Sequence, residues 1–227
     1  MKALDWGLYV ITDSKLARGR SHLEVARAAI AGGTSVFQLR DKEASTRQLV
    51  EIGLKLRELT RELGVTFIVN DRVDVALAVE ADGVHVGQDD MPAKFARKLM
   101  GPDKIIGISA GSVAEAVQAE ADGADYVSAS PVFATPTKPD APPPTGLEGL
   151  RAIAEAVRVP VVAIGGINAS NVEEVIATGA DAVAVVSAVV SAEDIEEAAR
   201  ELVSKIRAAK AKRLLTRSLA HKERLYL

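Results

Sequence analysis

Eight short apolar runs recur along the chain, and a helical pattern follows nearly every one. The runs are LYVIT (8–12), SVFQLR (35–40), TFIVN (66–70), GVHV (83–86), IIGIS (105–109), YVSAS (126–130), VVAIGG (161–166) and AVAVVS (182–187). Most are continuously apolar rather than alternating, which is how strands read when a parallel sheet is covered on both faces. Between them lie segments with apolar residues three and four apart, among them 22–33, 46–64, 112–124, 168–180 and 191–212. Three stretches look like one repeated unit: AIAGGTSVFQ, AEADGADYVS and IATGADAVAV each close a helix on glycine and then enter a strand. Eight strands and about as many helices in 227 residues, roughly 25 per unit, predict an α/β protein folded as a single (β/α)8 TIM barrel. A doubly wound open sheet is the competing architecture, and so many strands in so short a chain favour closure.

Composition removes several chemistries. The chain has no cysteine, so disulfides, thiolate nucleophiles, CxxC zinc sites and iron–sulfur ligation are excluded. A net charge of −3 gives no basic field for non-specific nucleic-acid binding. The start, MKALDWGLYVITD, lacks the apolar core of a signal peptide, and no window approaches the length of a membrane span. The expectation is a soluble cytoplasmic protein with small-molecule ligands and neither a nucleic-acid nor a membrane partner. Two stretches depart from the alternating pattern. ATPTKPDAPPPTG (134–146) is a loop too long for a minimal connection. The basic stretch 210–227 extends past the barrel proper, 1–209, and carries an apolar stripe. It reads as a helical extension packed on the barrel or on a neighbouring subunit of a homo-oligomer; a membrane-surface or partner-binding role is the alternative.

In a barrel the polar residues at the C-terminal strand ends share one mouth, and active sites are built there. The second run ends Gln38-Leu39-Arg40-Asp41-Lys42; Arg40 and Lys42, two apart, point the same way in an extended chain and suit a polyphosphate. Gln38 is a polar residue inside an apolar run and needs a partner. Asn70-Asp71 ends the third run and Gln88-Asp89-Asp90 follows the fourth. Carboxylates on neighbouring loops, with few histidines, suit a hard cation such as Mg²⁺; helix capping by Asp71 and Asp90 is the plainer reading. Ser109 ends the fifth run and can hydrogen-bond a ligand, whereas His85, inside the fourth, reads as a satisfied interior histidine. Thr135, Pro136, Thr137 and Lys138 form a stiffened loop with two hydroxyls and a cation. Gly165-Gly166 after the seventh run and Ser187 after the eighth stand where barrels of this class bind phosphate. The mouth therefore has two anion-binding halves, which suits transfer between two phosphorylated substrates with a pyrophosphate leaving group.

On these residues the sequence resembles the thiamine-phosphate synthase family. The resemblance is carried, in order, by LYVITD, QLRDK, FIVND, ADGVHVGQDD, GIS, DYVSASPVFATPTK, PVVAIGGI and AVVSA. It implies an enzyme that joins a hydroxymethylpyrimidine pyrophosphate to a thiazole phosphate and releases pyrophosphate. The mechanism it implies is dissociative, with Mg²⁺ as cofactor. It places Gln38, Leu39, Arg40, Asp41, Lys42, Asn70, Ser109 and Lys138 on the pyrimidine pyrophosphate, with Arg40, Lys42, Ser109 and Lys138 catalytic. It makes Asp71 and Asp90 the magnesium ligands, and places Thr135, Pro136, Thr137, Gly166, Val186 and Ser187 on the thiazole phosphate. Ser130 departs from the glycine usual in the family, and the basic tail has no family counterpart. The alternatives are a regulatory or isomerase relative on the same barrel, another phosphate-binding barrel enzyme, and a non-catalytic assembly protein acting through the tail.

Overall fold

The computed structural model describes residues 6–137 and 142–225, with side chains as far as residue 216. The strands are β1 (Leu8–Ile11), β2 (Val36–Leu39), β3 (Thr66–Asn70), β4 (Gly83–Val86), β5 (Ile105–Ala110), β6 (Tyr126–Ala129), β7 (Val161–Ile164) and β8 (Ala182–Val185). The helices are α1 (His22–Ala31), α2 (Thr46–Glu62), α3 (Val73–Ala78), α4 (Ala93–Met100), α5 (Val113–Ala121), α6 (Gly146–Ala156), α7 (Val172–Ala177), α8 (Ser187–Val190) and α9 (Ile195–Leu225). Neighbouring strands pair in parallel in chain order, and β1 pairs with β8, with Tyr9 opposite Ala184. That last pairing rules out the open sheet and closes the expected barrel.

Local chemistry explains the helix starts. Ser21 and Glu24 form a capping box on α1, and Ser45 and Gln48 form another on α2. Ser112 accepts from the Glu115 N–H at the start of α5. The two proposed caps at the mouth do not form. The residue preceding α3 is Arg72, so Asp71 lies outside the cap position, and Pro92 is the N-cap of α4 rather than its first turn. Both carboxylates are thereby left for other partners. α7 is shorter than its sequence pattern, because Asn168 and Asn171 form a turn of their own: the Asn171 side-chain Oδ1 accepts from the Asn168 N–H at 2.9 Å. The boundary expected at residues 209 and 210 falls inside the continuous helix α9.

Two apolar layers hold the barrel. Inside it sit Trp6, Tyr9, Ile11, Val36, Ile68, Tyr126 and Val162. Outside it the alternate strand residues, such as Phe37, Leu39 and Val127, pack against the helices. Tyr126 fits only because residue 107 is glycine: a Cβ there would lie 2.0 Å from the tyrosine ring. Two of the repeated stretches carry an aspartate with a structural role at the N-terminal face, and Asp82 shares it. Asp82, Asp125 and Asp181 each stand just before a strand and accept the N–H of the preceding strand's first or second residue, from Phe67, Ile106 and Val161, at 2.8–2.9 Å. An arginine from the helical layer completes each: Arg57 to Asp82 at 2.7 Å, Arg97 to Asp125 at 2.5 Å and Arg213 to Asp181 at 3.8 Å. Among the described residues, no helix is long and apolar enough to cross a membrane.

Candidate active site

The C-terminal strand ends enclose a cavity of about 370 Å³. Of the residues expected there, Gln38, Arg40, Lys42, Asn70, Asp71, Asp90, Ser109, Thr135, Pro136, Thr137, Gly166, Val186 and Ser187 line it. Lys138 lies outside the described residues. The side chains of Leu39 and Asp41 point away from the mouth. The two-residue period that turns Gln38, Arg40 and Lys42 inward turns these two outward. Leu39 is buried in the layer between strands and helices. Asp41 bonds His22 Nε2 at 3.1 Å and accepts the Glu43 N–H at 2.9 Å, which shapes the loop after β2. Burial acts to raise its pKa, but those bonds and its contact with Ser14 outweigh it and hold the carboxyl below its ordinary value.

Asp71 is fixed by its main chain. Its N–H donates to His85 O at 2.7 Å, and the Arg72 N–H returns to Asn70 O at 2.7 Å. The tight turn puts Asp71 at φ 59°, a left-handed conformation that Asp tolerates better than most residues. Its carboxylate accepts from Lys42 Nζ. Asp90 is held by the Gly87 N–H at 2.7 Å. Asp71 and Asp90 meet at hydrogen-bond range. Burial, reinforced by the Asp90 carboxyl, pushes Asp71 above its ordinary pKa against the pull of Lys42. For Asp90 burial also acts upward, but the bonds from Asp71 and the Gly87 N–H outweigh it and the carboxyl lies below its ordinary value. The pair and its lysine thus form one electrostatic unit across the ends of β2, β3 and β4.

The opposite side of the mouth is built from main chain. Gly165 and Gly166 have φ of 104° and 66°, so they adopt a turn that other residues resist. A Cβ on Gly165 would lie 2.5 Å from Pro131 Cβ, and one on Gly166 would lie 2.7 Å from Phe133 Cβ. The glycines therefore let the loop after β6 lie against the end of β7. Thr135 and Thr137 are on that loop, and Val186 and Ser187 face them from β8 and the start of α8.

Five comparisons bear on this arrangement. The family profile described as thiamine monophosphate synthase matches residues 8–189. The chain belongs to the thiamine monophosphate synthase family. The thiamine-phosphate synthase of Chloroflexus aurantiacus is 61% identical to it over 199 residues, covering 88% of this chain and 92% of the relative. That of Moorella thermoacetica is 58% identical, covering 91% and 99%. The solved thiamine phosphate pyrophosphorylase from Pyrococcus furiosus superposes with a TM-score of 0.85 at 50% identity, over 91% of this chain and 98% of that one. A 3-hexulose-6-phosphate synthase, at 20% identity and a TM-score of 0.64, shares the barrel alone. Family membership makes this chain an enzyme of the transferase class with thiamine-phosphate synthase activity.

Sequence reasoning passed over several mouth residues. Tyr9, Ser128 and Asn168 line the cavity; His85, expected to be a satisfied interior histidine, lines it too, with its ring nitrogens bonded to Tyr126 Oη at 2.9 Å and Ser109 Oγ at 3.0 Å. The signal was available: each is a polar group in or just after an apolar run, the same test that singled out Gln38. Asp13, which anchors Arg40, meets the same test, since it directly follows the first run.

Proposed function

We propose that the mouth joins 4-amino-2-methyl-5-hydroxymethylpyrimidine pyrophosphate to 4-methyl-5-(2-phosphoethyl)thiazole, giving thiamine phosphate and pyrophosphate in the cytoplasm. The observation that carries this reading is the meeting of Lys42, Asp71 and Asp90 on one side of a cavity whose other side is a glycine turn. The first set fits a pyrophosphate and a divalent cation, and the second a single phosphate.

The donor set fits Mg²⁺. No group of three His, Cys, Asp or Glu surrounds one point among the described residues. Magnesium usually takes only one or two protein carboxylates, with water and substrate phosphate completing its shell, and Asp71 and Asp90 supply that number. When bound, the ion would neutralise charge on the departing pyrophosphate.

The chain's own groups account for the rest. Arg40 and Lys42 bind and orient the pyrophosphate, and Ser109 donates a hydrogen bond beside them. The bond from the pyrimidine methylene carbon to the pyrophosphate oxygen breaks, and its electron pair leaves on pyrophosphate. The thiazole nitrogen, held in line by its phosphate at Gly166 and Ser187, then gives its lone pair to that carbon. No proton changes hands, so the site needs no general base.

The test is pyrophosphate release from the two substrates, with and without Mg²⁺, in wild type and Asp71→Ala. Release that needs both substrates and the ion, and that falls at least a hundredfold in the variant, supports the reading. Tight thiazole-phosphate binding without release would instead favour a regulatory or isomerase relative.

A further inference from the structure

Five polar side chains from five strands join into one chain of hydrogen bonds across the barrel interior. Gln38 Nε2 donates to Tyr9 Oη at 2.6 Å. Tyr9 Oη and Tyr126 Oη are 3.0 Å apart, and Tyr126 Oη is 2.9 Å from His85 Nδ1. His85 Nε2 is 3.0 Å from Ser109 Oγ. Both tyrosines are fully buried, which raises their pKa values and keeps them protonated.

Each phenol has one hydrogen, and buried it needs an acceptor; with Gln38 donating to Tyr9, the direction in which every hydrogen is used runs from Tyr9 to Tyr126 to His85. Tyr9 accepts from Gln38, and its own hydrogen goes to Tyr126. Tyr126 has accepted, so its hydrogen goes to His85 Nδ1. A neutral imidazole that accepts at Nδ1 carries its proton at Nε2 and donates it to Ser109 Oγ. The serine hydrogen is then turned out, toward the mouth. Reversing the chain would require the Gln38 amide to turn over and would leave Ser109 presenting lone pairs to an anion.

We propose that Tyr126 is a positioning residue, which holds His85 as its Nε2–H tautomer so that Ser109 presents a hydrogen to the oxyanion of the substrate. Gln38, at the far end, is left with its carbonyl oxygen for a ligand N–H, so the polarity of the two ends is coupled. The inference rests on the proposed reaction only for the identity of the oxyanion.

Two readouts test it. In protein labelled with ¹⁵N-histidine and without substrate, the His85 signals, assigned by loss in His85→Gln, should show a protonated Nε2 and a bare, hydrogen-bonded Nδ1. Tyr126→Phe should abolish that signature, since Nδ1 loses its donor. Tyr9→Phe should keep it, since the Tyr126 hydrogen still has His85 to go to. A wild-type His85 protonated at Nδ1 would overturn the proposal, and this result does not depend on any variant folding. In kinetics, Tyr126→Phe and Ser109→Ala should each lower kcat/KM about tenfold, and the first should add little in the background of the second. Fully additive losses would mean that the tyrosine acts by packing alone. Absence of turnover in the wild type would sink the synthase reading and leave the tautomer result standing.

Discussion

The guanidinium of Arg40 is held at 2.6 Å by the carboxylate of Asp13, from the loop that follows β1. The pair exists because Ile11 and Gln38 are in register, so residues two further along each strand face each other. Both side chains are largely shielded, at 19% and 13% exposed, so the arginine is oriented before any ligand arrives. Asp13→Ala should therefore raise KM for the pyrimidine pyrophosphate and lower kcat/KM about tenfold, with a smaller effect on KM for the thiazole phosphate. Steady-state kinetics with each substrate varied in turn decide it. An unchanged or improved KM would show that the carboxylate merely competes with substrate for the guanidinium.

The glycine turn after β7 makes a sharper demand. Gly166→Ala places a Cβ within 2.8 Å of the Ala134 carbonyl and requires a left-handed φ of 66° from a residue with a side chain. The loop after β6 must move, and with it Thr135 and Thr137. We expect binding of the thiazole phosphate to weaken at least tenfold by calorimetry, with stability down by about 1–3 kcal/mol. Normal binding in the variant would place the phosphate elsewhere in the mouth.

The barrel was legible because its strands are covered on both faces and so read as apolar runs that helical spacing separates. Those same runs made Gln38 conspicuous. The inward side of the mouth motif was legible too, but a motif read as a string cannot tell Arg40 from Asp41, whereas a strand sends them to opposite faces. That is why the side chains of Leu39 and Asp41 leave the mouth while their neighbours in the motif line it. The Asp71 turn was hidden for a different reason: a helix cap and this turn place an aspartate at the same point of the sequence, and only the φ of 59° sets them apart. The aspartates at the N-terminal face repeat in sequence, but their arginines come from α2, α4 and α9 at no fixed spacing.

Asp41 gives a pH test of its structural role. Its carboxyl lies below its ordinary pKa in the fold. A group depressed on folding contributes stability above its unfolded pKa, and that contribution disappears as pH falls through the folded value. Wild type should therefore exceed Asp41→Asn in stability by about 1–3 kcal/mol at pH 7, and the gap should close as the solution is taken well below pH 4. Urea unfolding at several pH values measures the gap. A gap independent of pH would mean that the asparagine disturbs packing rather than charge.

Arg213 lies in the basic stretch whose purpose the sequence left open, and the fold assigns it one. Its Nη1 donates to Ile176 O at 3.0 Å and to Ala180 O at 2.8 Å, the carbonyls where α7 ends, and its Nη2 faces Asp181 at 3.8 Å. It thus does for β8 what Arg57 and Arg97 do for β4 and β6. Lys210 adds a bond to Trp6 O, beside the start of β1. The seam between β8 and β1 is where the barrel closes, so α9 must continue past residue 209 to brace it. We expect Arg213→Ala to cost about 1–3 kcal/mol, a drop in Tm of several degrees for a chain this size. Truncation after residue 209 should lose at least as much. Catalysis in the surviving folded fraction should be unchanged, because the brace is at the face opposite the mouth. A truncation at 209 that kept full stability but lost activity would show that the extension serves the site or a partner instead.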